Sequence, residues 1–355
     1  MADKPIIRCF DTKPYDIEFF ERANASYGFG IHFHKDRLGP ETVDLARDAD
    51  AVCVFVNDEL SADVARQLEA MHVRLVALRC AGYNNVDLSA FFGHIPVTRV
   101  PAYSPHAVAE FTVAMLLSLN RKLHRAYSRT RDGNFQLSGL LGFDLYNKTA
   151  GVVGTGRIGR ITAQILRGFE MRVLAYDVRP DNSWAASSGV EYCELDRLFA
   201  ESHVVSLNCP LTPETTHMID EAAIGTMRDG ALIVNTGRGG LIDTPALIEA
   251  LKSGKIAGAA LDVYEEEDEY FFEDFSDRII TDDQLARLLS LPNVLVTSHQ
   301  AFFTEEALTQ IAETTLASVD DFFTHGNLPN EICYRCGVSP CPRKEKNLKR
   351  CFEVG

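Results

Sequence analysis

The chain has 355 residues, 46% hydrophobic and 24% charged, an ordinary globular composition spread over more length than one core organises. A formal net charge of -15 repels phosphate backbones and argues against nucleic-acid binding. No apolar run reaches the ~18 residues of a membrane span, and the start, MADKPIIRCFDTKPYD, lacks the apolar core of a secretory signal, so two domains in the cytoplasm with no membrane partner are expected.

The first hundred residues alternate short strands with amphipathic helices. PIIRCF, YGFGIHF, AVCVFV, VRLVALR and PVTRV read as strands, with DIEFFERAN and SADVARQLEAM as helices between them. Such alternation implies a parallel sheet with both faces covered. A long helix should follow, with Ser104 as N-cap and Pro105 at its first position, running to about Gly133. Its first half is apolar nearly all round and should be buried, between domains or subunits. From 150 to 299 six strand candidates follow: AGVVG, RVLAYD, HVVSLN, ALIVNT, IAGAALDV and VLVTS. They are rich in Val, Ile, Leu and Ala with little alternation, the mark of strands buried on both faces. RIGRITAQILRGF and TPALIEALKSG are helices among them, and EEALTQIAETTLASVDDFFTHG is a last helix closed by Gly326. The expected class is α/β with two doubly wound parallel-sheet domains. A Rossmann domain over 103–299 is inserted into a flavodoxin-like domain made of 1–102 and 300–330. Cys9, Cys53, Cys80, Cys193 and Cys209 lie in apolar runs and read as buried small hydrophobes.

Gly154, Gly156 and Gly159 stand in G-x-G-x-x-G spacing between a strand and a helix. Glycine allows the tight turn, the close approach of a pyrophosphate and helix–strand packing. The helix N-terminus at Gly156, Arg157 and Ile158 would offer unpaired N–H groups to that anion. Asp177 ends the next strand, at the spacing of a ribose-binding carboxylate. Such a carboxylate accepts from both ribose hydroxyls and repels a 2′-phosphate, so NAD is the expected cofactor, with nearby Arg179 able to soften the preference.

Three strands then stop on polar segments. ALIVN ends at Asn235 and is followed by Arg238; IAGAAL is followed by Asp262 and the run Glu265, Glu266, Glu267; VLVTS is followed by His299. In an open parallel sheet the carboxyl ends share one edge, where ligands bind. Hydride transfer to a ketone builds negative charge on its oxygen. A histidine is a fitting proton donor, a carboxylate against its other ring nitrogen favours the imidazolium, and an arginine can fork onto a carboxylate. Arg, Glu and His together describe a 2-oxo-acid reductase. The residues alone do not choose among the three glutamates.

LRCAGYNNVDL, VPAYSPHAVAEF, GVVGTGRIGR, NCPLTPETTHMI, VNTGRGGLID, LDVYEEEDEYFFED and TSHQAFFTEEAL, in that order, resemble the NAD-dependent D-2-hydroxyacid dehydrogenases over about residues 1–330, most of all their fermentative D-lactate-forming branch. The resemblance implies Arg238 as the substrate-orienting arginine, His299 as the proton donor and Glu267, five residues past Asp262, as its partner. It implies cofactor contacts at Asp262, Cys209, Pro210 and Thr236. The substrate carboxylate would meet backbone N–H groups of Cys80, Ala81 and Gly82, with Phe55, Tyr103 and Phe302 as pocket walls. It implies reversible reduction of pyruvate to D-lactate, and a homodimer or larger homo-oligomer formed through the second domain. A dehydrogenase for a bulkier oxo acid, or an NAD-sensing corepressor, remains the alternative.

Residues 331–355 lie beyond the resemblance, a basic tail with six Lys/Arg against three Glu and with Cys333, Cys336, Cys341 and Cys351. Four thiols could hold a structural metal, but the spacing is not that of paired knuckles. A disordered, reduced tail is the favoured expectation, and no metal is expected.

Overall fold

The computed structural model describes residues 4–267, 270–335 and 351. The chain divides into two compact units, 1–104 with 304–355 and 105–303. Both divisions fall a few residues beyond the expected ones. At the second, the Asp262 carboxylate accepts from the N–H groups of Gln300 (2.9 Å) and Ala301 (2.8 Å), which ties that stretch to the second unit.

The first unit opens with β1 (Ile6–Cys9), β2 (Gly30–Phe33), β3 (Ala51–Val54), β4 (Leu75–Leu78) and β5 (Val97–Thr98). Their order, β5-β4-β3-β1-β2 and all parallel, is the flavodoxin-like winding. Central β3 and β4 are buried at every position, as expected for strands covered on both faces. Cys9 and Cys53 are buried register partners, and Cys80 is buried too.

The second unit holds β6 (Thr149–Val153), β7 (Arg172–Tyr176), β8 (Glu191–Tyr192), β9 (Val204–Leu207), β10 (Ala231–Asn235), β11 (Ile256–Leu261) and β12 (Val294–Val296). Their order, β12-β11-β10-β9-β6-β7-β8, reverses between β6 and β9, the doubly wound pattern with a further strand at one edge. Among the described residues seven strands stand where six were expected. Two-residue β8 is too short and too polar to leave an apolar run. Cys193 and Cys209 are half-buried rather than buried.

The helix from Pro105 ends at Asn120, and a second runs from Leu123 to Arg131, where one continuous helix was expected. Lys122 between them has φ +50°. The break docks the returning chain. Asn120 exchanges hydrogen bonds with Phe143, Nδ2 to its carbonyl at 2.7 Å and Oδ1 from its N–H at 3.0 Å, while Lys122 Nζ reaches the Leu141 carbonyl at 2.8 Å. The Pro105–Asn120 helix is buried inside its own unit, against helix Arg157–Gly168 and strands β10 and β11.

The chain returns to the first unit through helix Glu305–Asp320, whose N-cap Thr304 accepts from Ala307 N–H at 3.2 Å. A π-helical turn, Asp321–His325, ends at Gly326 with φ +63°. Then β13 (Glu331–Ile332) pairs antiparallel with β5. Disorder therefore does not hold at the start of the tail. Unpaired β5 would leave an open sheet edge; buried Ile332 covers it, and Cys333 and Cys351 are buried beside it. The Cys351 N–H donates to the Glu331 carboxylate at 2.6 Å. Cys336 and Cys341 lie outside the described residues. Among those described, no helix is long and apolar enough to cross a membrane.

Candidate active site

Gly154 follows β6 at the point where strand order reverses. Its φ is +90°, and a Cβ there would lie 2.7 Å from the Asn208–Cys209 backbone at the end of β9. A Cβ on Gly159 would collide with the Gly154 carbonyl, whereas one on Gly156 would meet only open space. The outer glycines thus serve the turn and helix packing, and the middle one leaves room at the N-terminus of the twelve-residue helix Arg157–Gly168. Gly156 is its N-cap, with Arg157 and Ile158 as the first helical residues. These N–H groups fit a pyrophosphate.

Asp177 follows β7. Its Oδ2 accepts from Thr155 N–H (2.7 Å) and hydroxyl (3.0 Å), and Oδ1 from Arg179 N–H at 2.9 Å. Burial disfavours its charge, but the Arg179 and Thr155 donors and the Arg160 guanidinium outweigh it, holding the carboxyl below its usual range. An ionised carboxylate at this end of the second strand fits a ribose. Thr155 escaped the sequence reading, although its place inside the glycine motif marks it.

Cys209 follows β9, and burial pushes its thiol up to about 11, so it is a neutral neighbour rather than a nucleophile. Pro210 beside it is exposed and its carbonyl accepts from the Thr215 hydroxyl at 2.7 Å. Thr236, just past β10, is buried with its hydroxyl 2.6 Å from that of Thr112.

The ends of β10, β11 and β12 are adjacent, and backbone bonds join them in sequence. Asp262 N–H donates to Asn235 O (2.9 Å), Thr297 N–H to Leu261 O (2.9 Å) and His299 N–H to Asp262 O (2.7 Å). The Asp262 side chain is fully buried and accepts from the Thr297 hydroxyl (2.5 Å) as well as from Gln300 and Ala301. Burial pushes its carboxyl up against those donors. Its contacts fasten the turn that carries His299, whose φ of +52° is uncommon for a side-chain-bearing residue.

His299 Nδ1 lies 2.6 Å from Glu267 Oε1, and both side chains are about one-fifth exposed. Glu267 Oε2 accepts from Tyr264 N–H at 2.9 Å. Phe272 tilts across the imidazole at 6.0 Å, a neighbour no motif announced. Arg238 is half-buried after β10, its Nη1 donating to Gly237 O at 2.7 Å and its carbonyl accepting from Asn235 Nδ2 at 2.8 Å. Gly239 packs so closely on the Tyr264 backbone that a Cβ would collide with it, which keeps the Arg238 loop against the segment leading to Glu267. Glu265 belongs to a different pair, with His217 and the Thr244 hydroxyl. Phe302, in the same unit, is buried edge-on against Phe303.

The remaining sequence-derived positions belong to the first unit. Phe55 follows β3, its N–H donating to Asp58 Oδ2 at 2.5 Å and its ring 4.7 Å from the Arg79 guanidinium. Burial pushes Asp58 up to about 7. Cys80, Ala81 and Gly82 form the turn after β4, and Tyr103 is half-buried beyond β5. Among the described residues, no group of three His, Cys, Asp or Glu side chains is placed to hold a metal.

Residues 113–301 match the family model of the D-isomer specific 2-hydroxyacid dehydrogenase NAD binding domain. A D-lactate dehydrogenase of Escherichia coli strain K12 is 50% identical over 325 residues, 91% of this chain and 98% of that protein. A 2-hydroxyacid dehydrogenase homolog of Schizosaccharomyces pombe is 49% identical over 328 residues, 92% of this chain and 98% of that one. The apo-structure of D-lactate dehydrogenase from Escherichia coli superposes with a TM-score of 0.85 at 48% identity, covering 92% of this chain and 99% of that one.

Proposed function

Because the chain belongs to the D-isomer specific 2-hydroxyacid dehydrogenase family, we propose that it reduces pyruvate to D-lactate, reversibly, with NAD as its cofactor. The observation that carries this reading is the pairing of His299 Nδ1 with Glu267 at 2.6 Å, on the sheet edge that also bears the glycine turn. With Nδ1 donating to a carboxylate, Nε2 is the nitrogen left to give a proton. Bound NADH supplies the hydride. His299 protonates the carbonyl oxygen, Glu267 holds its tautomer and orientation, and Arg238 aligns the keto acid and draws charge from its oxygen. The turn Cys80–Gly82 takes the carboxylate, with Phe55, Tyr103 and Phe302 limiting the side chain to something small. Asp177 takes the ribose, the helix start at Gly156, Arg157 and Ile158 takes the pyrophosphate, and Cys209, Pro210, Thr236 and Asp262 complete the cofactor cleft.

The protein acts as a homodimer or larger homo-oligomer in this reading. Leu123, Tyr127, Phe135, Leu137, Leu141 and Tyr146 all expose more than half of their surface within one stretch of the second unit. Large apolar side chains exposed this fully and this close in sequence are candidates for an interaction surface.

The test is a steady-state panel of 2-oxo acids with NADH and with NADPH. Fast NADH oxidation with pyruvate, slower with phenylpyruvate and 2-oxoisocaproate, is expected. A preference for the bulkier acids replaces the substrate, and trace turnover beside tight NADH binding replaces the enzyme by a sensor.

A further inference from the structure

The segment Arg79–Tyr83 leaves β4 at the carboxyl edge of the first unit's sheet. Each carbonyl of its turn is fastened. Val100 N–H donates to Cys80 O at 3.0 Å. The Arg99 guanidinium donates through Nη1 to Ala81 O at 2.7 Å. The Cys80 thiol reaches Gly82 O at 3.2 Å. A trans peptide holds its C=O and the following N–H on opposite sides. The N–H groups of Ala81, Gly82 and Tyr83 therefore point away from the donors that hold their own peptides. None of the three donates to an acceptor among the described residues. Successive unpaired N–H groups make a receptor for a small anion.

Of these fastenings only Arg99 is charged. A guanidinium stays protonated, and its bond to a carbonyl is charge-assisted. Drawing density through the Ala81 oxygen polarises the whole amide and makes the Gly82 N–H a stronger donor. Arg99 is itself held twice. Its guanidinium lies 5.0 Å from the Tyr83 ring centroid, and its own N–H donates to Asn330 O at 3.2 Å.

We propose that Arg99 is a positioning residue for the substrate carboxylate, acting through the Ala81 carbonyl to aim and polarise the Gly82 N–H. The inference rests on the reading of Cys80–Gly82 as the carboxylate grip of a 2-oxo-acid reductase. Arg99 need not touch the substrate; it adds positive charge behind the grip and fixes the grip's direction.

The test compares wild type, Arg99→Gln and Arg99→Lys for kcat, for the KM of pyruvate and of NADH, and for the Kd of oxamate, the amide analogue of pyruvate, on the NADH complex. In Arg99→Gln the pyruvate KM and oxamate Kd should rise about tenfold, the size of one charge-assisted hydrogen bond. The kcat should change less than about threefold and the NADH KM not at all, since neither depends on carboxylate capture. Arg99→Lys should recover part of the loss, because an ammonium reaches the carbonyl without the planar fork. Unchanged pyruvate KM and oxamate Kd in Arg99→Gln overturn the proposal. So does a fall in kcat and in NADH affinity alongside the pyruvate effect, which is general loosening. Should Arg99→Gln fail to fold, Arg99→Lys decides alone: a raised pyruvate KM at constant kcat supports the role, and an unchanged one refutes it. A wild-type enzyme that ignores pyruvate overturns the proposed function instead.

Discussion

Glu267 meets His299 through one oxygen, 2.6 Å from Nδ1, while its other oxygen accepts from Tyr264 N–H at 2.9 Å. The carboxylate is thus clamped between the imidazole and its own chain. Glu267→Gln keeps the shape but offers one acceptor where two are needed, so an amide N–H must oppose either Tyr264 N–H or Nδ1–H. We expect kcat to fall about a hundredfold, a typical loss for a misoriented general acid. His299→Gln should lose about a thousandfold, and Arg238→Gln most of the activity. All three should keep the wild-type circular dichroism. Near-normal turnover in His299→Gln or Arg238→Gln would overturn their assigned roles.

Asp177 should set the choice of cofactor. Its two oxygens face Thr155 and the Arg179 N–H, and its charge would repel a 2′-phosphate. Asp177→Ser should lower the ratio of kcat/KM for NADH over NADPH by about ten- to a hundredfold, the worth of one charged hydrogen bond. The buried Thr155 N–H also loses an acceptor, which costs about 1–3 kcal/mol of stability. A variant with an unchanged coenzyme ratio would remove Asp177 from the ribose site.

Glu265 and His217 form a second acid–imidazole pair, distinct from the first. The Glu265 side chain, then burial opposing it, then Asp243 and Asp220, leave the imidazole raised above its ordinary value. A raised histidine stabilises the fold fully below its unfolded pKa and loses that contribution as pH rises through the folded one. His217 is well exposed, so the effect should be modest. His217→Asn should melt below wild type at about pH 5.5, and the gap should close by about pH 9. A gap that stays constant across that range would mean the pair's charge does not stabilise the fold.

Much of this was legible because buried parallel strands write themselves as apolar runs. The six runs from AGVVG to VLVTS fall on strands β6, β7, β9, β10, β11 and β12. What escaped depends on contacts that local sequence does not encode. Polar, two-residue β8 has no run to detect. The helix break at Lys122 exists because Asn120 pairs with Phe143, twenty-three residues away. The sequence offered Glu265, Glu266 and Glu267 equally on chemistry, and only the family spacing pointed to the last. Geometry separates them by partner: His217 for Glu265, His299 for Glu267. Phe272, packed on the imidazole, has no motif at all. The tail read as disordered because its composition is basic and cysteine-rich, yet Ile332 finds the open edge of β5.

The exposed apolar stretch gives the last prediction. Phe135 is 77%, Leu137 82% and Leu141 88% exposed, values that a solvated surface does not favour for three large side chains in seven residues. Their backbone is anchored rather than loose, since Arg129 Nη1 donates to Ser138 O at 2.7 Å and Lys122 to Leu141 O. An anchored apolar surface is ready to dock without the entropy cost of ordering a free loop. A second copy of this chain is the partner our proposal assigns. Leu137→Glu with Leu141→Glu should place unpaired carboxylates in that contact and shift sedimentation from dimer or larger to monomer. The Glu267–His299 pair lies elsewhere in the unit's sequence, so pyruvate turnover of the monomer reports separately whether assembly supports activity. A wild-type protein that sediments as a monomer at micromolar concentration would sink the oligomer.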